Sequence, residues 1–258
     1  MTYETIRMVQ SDAAVATITM ARPEALNALS LLMLDELRAA LRDAVEAGAR
    51  SILLTGEGRG FSSGADLGGG GLPEDVGAAL EEHYNPLVET LFNLPIPVVA
   101  AVNGPAAGAG CSLALAADFV IAGRSAYFLQ AFVNIGLIPD AGATWLLPRL
   151  AGRARAMEMM MLGERISAEQ ALQWGLIARL VEDEYLTSES VALATRLAQG
   201  PTIALGLIRK LARDADHLSL SDALRAERAA QCEAGHSQDF KSAVMSFISK
   251  QQPRFDGR

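Results

Sequence analysis

The chain has 258 residues, half of them hydrophobic and a fifth charged, which fits one large domain with its own core and excludes a disordered chain. A formal charge of -8 and a pI near 5.0 exclude the broad basic face that general nucleic-acid binding requires. Cys111 and Cys232, far apart and with no CxxC, exclude a disulfide framework and a thiolate zinc site; they fit a reducing, cytoplasmic setting.

The first twenty residues lack a basic stretch followed by an apolar run, so no secretory signal is expected. Weak alternation from Thr2 to Met20, with Val15, Thr17, Ile18 and Thr19, predicts an opening hairpin. A helix is predicted after Ser30, whose hydroxyl can cap it, with Leu34, Leu37, Leu41 and Val45 as its apolar stripe and Gly48 at its end. Residues 51–55 read as a short buried strand, followed by a glycine-rich loop over 56–71 and a helix over 73–92.

A second buried strand is predicted over 97–102, then another glycine loop, a helix over 111–117 and a strand over 119–121. The stretch from Thr90 to Ala117 carries no charge, but Pro95, Pro97, Gly104, Pro105, Gly108 and Gly110 break it too often for a membrane span. Beyond it the pattern is mainly helical. Ser167 with Gln170 reads as a capping box, Gly175 as a helix end and Gly200-Pro201 as a boundary, with terminal helices over 221–234 and 242–249. Residues 1–195 are therefore expected to form a mixed core with parallel strands, and residues 196–258 a helical region.

Gly60-Phe61-Ser62-Ser63-Gly64 matches the G-x-S-x-G nucleophile elbow, but no strand leads directly into it and no helix follows it. The loop from Gly104 to Gly110 lacks both the last glycine of a dinucleotide fingerprint and the Gly-Lys-Ser/Thr of a phosphate loop. What the two loops share is physical. Each follows a buried strand and can offer a backbone N–H to one oxyanion. No His/Asp/Glu spacing suggests a metal.

At these residues a resemblance enters. The run from Gly58 to Leu67 and the run from Ala101 to Asp118 resemble the two signatures of the enoyl-CoA hydratase/isomerase (crotonase) superfamily. Arg22-Pro23, Asn27-Ala28-Leu29 and the stretch from Ala243 to Phe255 also fit. The resemblance implies an α/β (α+β) spiral of ββα units, a helical C-terminal trimerisation region and an acyl-CoA thioester as ligand, with no cofactor beyond the coenzyme A that arrives as part of the substrate. The partner it implies is a second and third copy of the chain, as a homotrimer or a dimer of trimers, with neither nucleic acid nor membrane.

It also implies an oxyanion hole at Ala65 and Ala109. Ser63, Gly64, Asp66, Leu67, Gly108 and Phe132 fall at substrate-binding positions, with Asp66 expected to brace the first loop. Arg22, Arg59 and Lys250 are the candidate cations for the CoA phosphates. The two glutamates with which hydratases activate water would fall at Ser112 and Phe132, so efficient hydration is not expected.

Asp140 reads by local chemistry as a helix cap. Its surroundings, 128–132, 136–142, 144–149 and 152–157, with Tyr84-Asn85-Pro86, resemble one branch of the superfamily, the ring-1,2-epoxyphenylacetyl-CoA isomerases. That likeness assigns Asp140 the acid/base role. An isomerase moving a proton through a thioester enolate is thus expected. A hydratase or a non-catalytic acyl-CoA-binding subunit are the alternatives.

Overall fold

The computed structural model describes residues 3–68 and 75–258. Strands β1 (Ile6–Gln10) and β2 (Val15–Met20) form the expected antiparallel hairpin. Helix α1 (Leu31–Glu46) is capped by Ser30, whose hydroxyl accepts the Met33 N–H at 3.2 Å. Leu34, Leu37 and Leu41 are buried along one face of this helix, as the spacing predicts.

β3 (Ser51–Gly56), β4 (Val98–Val102), β6 (Phe119–Gly123) and β9 (Arg179–Val181) continue from β2 in parallel, giving a six-stranded sheet of order β1-β2-β3-β4-β6-β9. The central strands β3 and β4 are buried nearly throughout because both faces of the sheet are covered there. Ile52, Leu54, Val98, Ala100, Val102 and Val120 point into the main core with α1. Leu53, Val99, Ala101 and Ile121 point the other way, onto α8 (Leu186–Ala198).

Between β3 and β4, α2 (Val76–Ala79), a π turn (Leu80–Tyr84) and α3 (Asn85–Asn93) form one helical run. The predicted start of that helix at Pro73 lies outside the described residues. A second sheet of order β5-β7-β8 is absent from the sequence reading; it comprises β5 (Pro105–Ala107), β7 (Tyr127–Leu129) and β8 (Arg165–Ser167). Each strand has only three residues, too few to show a period. Helix α4 (Ala109–Leu115) begins two residues earlier than the predicted Cys111, which makes Ala109 its first residue.

Helices α5 (Ala143–Ala151), α6 (Arg153–Leu162) and α7 (Ala168–Trp174) follow, the last capped by Ser167 and closed by Gly175. Then come α9 (Thr202–Asp214), α10 (Leu220–His236) and α11 (Gln238–Ile248). Two clamps tie this helical end to the core. Arg50 donates to Gly200 O at 2.6 Å, Thr202 Oγ1 at 2.8 Å and Phe255 O at 2.9 Å. Asp118, just before β6, accepts from Val98 N–H at 2.8 Å, Arg209 at 2.7 Å and Arg213 at 2.9 Å. Among the described residues, no single helix is long and apolar enough to cross a membrane.

Candidate active site

β3 and β4 are parallel neighbours, so the loops that leave their C-terminal ends emerge on the same side, where open α/β sheets place their ligands. The first loop is held by amide side chains. Asn27, wholly buried, donates to Glu57 O and Gly60 O at 2.9 Å each and accepts Arg22 N–H at 2.9 Å. Asn103 donates to Gly56 O and Gly58 O at 2.9 Å. Both asparagines lie in runs that carry the family resemblance, yet their bracing role has no signal in the sequence, since their partners are up to 47 residues away.

The two loops then bond to each other. Phe61 and Ser62 donate to Pro105 O at 3.0 Å, and Ala107 donates back to Ser62 O at 2.9 Å. Ser62, the serine of the elbow pattern, is buried and donates its hydroxyl to Asn27 O at 2.8 Å, which leaves it no nucleophilic role. Just beyond, Gly64 (φ +94) and Gly108 (φ +51) abut. A Cβ on Gly64 would lie 2.9 Å from Ala107 O and 3.5 Å from Gly108 Cα, so only glycine lets the backbones meet.

The residues that follow these glycines are Ala65 and Ala109. Leu29 N–H donates to Gly64 O, and Asp66 N–H donates to Leu29 O, so the chain around Ala65 is fixed on both sides. Neither the Ala65 N–H nor the Ala109 N–H finds a hydrogen-bond partner among the described residues. Ala109 opens α4, whose preceding Gly108 provides no side-chain cap. Two bare donors at the crossing of the loops form an arrangement suited to one oxyanion.

Asp140 follows a short turn (Ala131–Ile135) and the left-handed Gly136. The local cap reading fails here. Helix α5 is preceded by Gly142 at φ +83 with no side-chain cap, and it is the Asp140 backbone carbonyl that accepts Ala143 N–H. The carboxyl group is left with a buried Oδ1 that has no partner among the described residues. Burial pushes its pKa up to about 6. Tyr84, buried in the π turn, senses both Asp140 and Asp66: burial first, then these two charges, holds its phenol protonated well above the ordinary range. Phe132 is buried, with its ring tip 3.8 Å from where a Gly108 Cβ would be. Phe128, by contrast, is wholly enclosed in the core.

Asp66 braces its loop as expected: Arg22 sits 2.8 Å away and Gly68 N–H 3.1 Å away, and both hold its carboxyl below the usual range. The same Arg22 nitrogen also donates to Ala28 O at 2.8 Å, so this cation braces the loop as well. Arg59 and Lys250 are exposed and have no ion-pair partner among the described residues. Lys250 lies beyond α11, which packs on α10. Ser63 is exposed, its hydroxyl on Ala25 O at 3.1 Å, and Leu67 is exposed beside Asp66. No group of three or more metal-ligating side chains occurs among the described residues.

The profile described as enoyl-CoA hydratase/isomerase matches residues 10–258. The chain is 46% identical to a 1,2-epoxyphenylacetyl-CoA isomerase of Escherichia coli over 96% of this chain and 97% of that protein. It is 48% identical to a probable enoyl-CoA hydratase of Rhodobacter capsulatus over the full length of both. A crystal structure of an enoyl-CoA hydratase from Bacillus anthracis superposes with a TM-score of 0.93 at 33% identity, covering 99% of this chain and 100% of that one.

Proposed function

The chain belongs to the enoyl-CoA hydratase/isomerase family, has its crotonase fold and is an enzyme acting on CoA thioesters; from that premise we propose that it is an isomerase working with one carboxylate. The observation that carries this reading is Asp140, a partly buried carboxyl group with an unpaired oxygen, while Ser112 and Phe132 stand where a hydratase pair would need acids.

The N–H groups of Ala65 and Ala109 receive the thioester oxygen and stabilise the negative charge that grows as an enolate forms. One such donor is worth about 3–4 kcal/mol. Asp140 takes a proton from one carbon and returns it to another. A carboxylate poised near pH 6 is a stronger base than one in water and still ionised at neutral pH. No water adds, so no second acid/base group is required. Tyr84, kept neutral beside Asp140, can donate a hydrogen bond to an oxygen of the substrate.

The similarity to the E. coli isomerase supports 1,2-epoxyphenylacetyl-CoA, converted to the oxepin thioester, as substrate. The same groups also suit a shift of a 3-ene to the conjugated 2-ene. Arg59 and Lys250 remain the candidates for the CoA phosphates, Lys250 from a neighbouring copy. Phe240, Met245, Phe247 and Ile248 are exposed along α11, Phe247 by 84%, which supports association of copies through this region as a trimer or a dimer of trimers.

Mass spectrometry of products from a 3-enoyl-CoA and a 2-enoyl-CoA tests the reaction class. An isomer at unchanged mass is expected. A gain of one water would instead establish a hydratase, the activity named for the Rhodobacter relative.

A further inference from the structure

We propose that Ser112, held by Gln130, is a positioning residue that aims and strengthens the Ala109 N–H. The proposal rests on the reading of that N–H as an oxyanion donor. The Gly108 carbonyl and the Ala109 N–H are two ends of one planar peptide, so whatever holds the oxygen fixes where the N–H points. That oxygen accepts the Ser112 N–H at 3.2 Å and the Ser112 hydroxyl at 3.3 Å. On the other side of Gly108, its N–H donates to Leu129 O at 2.8 Å, one residue before Gln130. With φ +51 and ψ -129, Gly108 sits in a conformation that local sterics do not secure.

Gln130 sets the direction of the chain of bonds. Its Nε2 lies 3.5 Å from Ser112 Oγ and donates to it, so the hydroxyl proton is left for Gly108 O. Gln130 N–H, Ser112 O–H and the Ala109 peptide thus donate in one sense toward the thioester oxygen, and aligned hydrogen bonds polarise one another.

A helical serine commonly bonds back to the carbonyl four residues before it, and that alone would mean little. Two facts go further. The carbonyl belongs to the peptide whose N–H follows Gly108 at the loop crossing and has no partner among the described residues. And Gln130, wholly buried, keeps an oxygen that has no partner among the described residues, a cost an apolar side chain of its size would avoid.

The test measures the carbonyl stretch of a 13C-carbonyl-labelled 2-enoyl-CoA bound to the Asp140→Asn enzyme, with and without Ser112→Ala. The bound carbonyl is expected at lower frequency than in water, and Ser112→Ala is expected to move it back toward the free value. Ser112→Ala alone should lower kcat about tenfold and leave KM within about twofold, a fraction of the effect of losing a whole donor. Gln130→Met should shift the carbonyl in the same direction by less. An unmoved frequency in Ser112→Ala overturns the proposal even if kcat falls, since that pattern belongs to a structural role. An unmoved frequency in Gln130→Met overturns the part given to Gln130. If the Asp140→Asn enzyme itself fails to lower the frequency, the oxyanion-hole reading falls and the proposal with it.

Discussion

Gly64 and Gly108 touch: a Cβ added to the second would be 3.7 Å from the Cα of the first, and one added to the first would press on Ala107 O at 2.9 Å. This contact sets the separation of the two bare N–H groups that follow. Gly64→Ala therefore has two faults, a side chain at φ +94 and a clash with backbone that cannot yield without moving the second loop. We expect kcat to fall by about a hundredfold or more, the scale of one lost oxyanion donor. Steady-state kinetics of the folded variant checks this. Retention of kcat would mean that the loop crossing does not set the donors.

The raised pKa of Asp140 predicts a pH profile. The base must be ionised, so kcat/KM should fall as pH drops through about 6, with a single protonation. Loss of activity only near pH 4 would place the carboxyl group in water and contradict its burial.

The same shift has a consequence for stability. A carboxyl group whose folded pKa lies above its unfolded value of 3.8 imposes no cost when both states are protonated; the cost develops as pH rises from about 4 to about 6 and stays above that. Asp140→Asn should then stabilise the fold above pH 6 by on the order of 1–2 kcal/mol, and not below pH 4. Thermal melts at the two pH values read this difference directly. The unpaired Oδ1 is thus maintained at the expense of stability, as expected at a working site.

Asp118 bears on the helical end in another way. It faces two guanidinium groups, Arg209 at 2.7 Å and Arg213 at 2.9 Å; burial lowers the pKa of Arg213 to about 10 despite the neighbouring carboxylate. Asp118→Ala leaves both cations uncompensated and frees the Val98 N–H. A loss of about 3–5 kcal/mol is expected in denaturant titration, the usual result of breaking a buried pair from one side. A loss under about 1 kcal/mol would show that the Arg209 bonds to Phe92 O and Leu94 O hold α9 unaided.

What was legible in the sequence follows burial and length. β3 and β4 read as strands because both faces are covered and their residues are mostly apolar; α1 reads as a helix because only one face is. β5, β7 and β8 have three residues each, and β5 opens with a proline, so no period marks them. The two glycine loops were visible, but what braces them was not: Asn27 acts on carbonyls 30 and 33 residues away. The pairing of Arg22 with Asp66 has no sequence signal for the same reason, since the two are adjacent only after the loop folds back on Leu29. Asp140 looked like a cap because aspartate before a helix usually is one; the glycine at 142 takes that place and leaves the carboxyl group to the site.

Asp140→Asn measures the central claim most directly. The substitution keeps size and removes the base. With a 3-enoyl-CoA, isomerisation should fall by at least about a hundredfold. The dissociation constant for a saturated acyl-CoA should stay within about threefold, because the Ala65 and Ala109 donors are untouched. Isomerisation at the wild-type rate in this variant would contradict the account and place the proton transfer on another group.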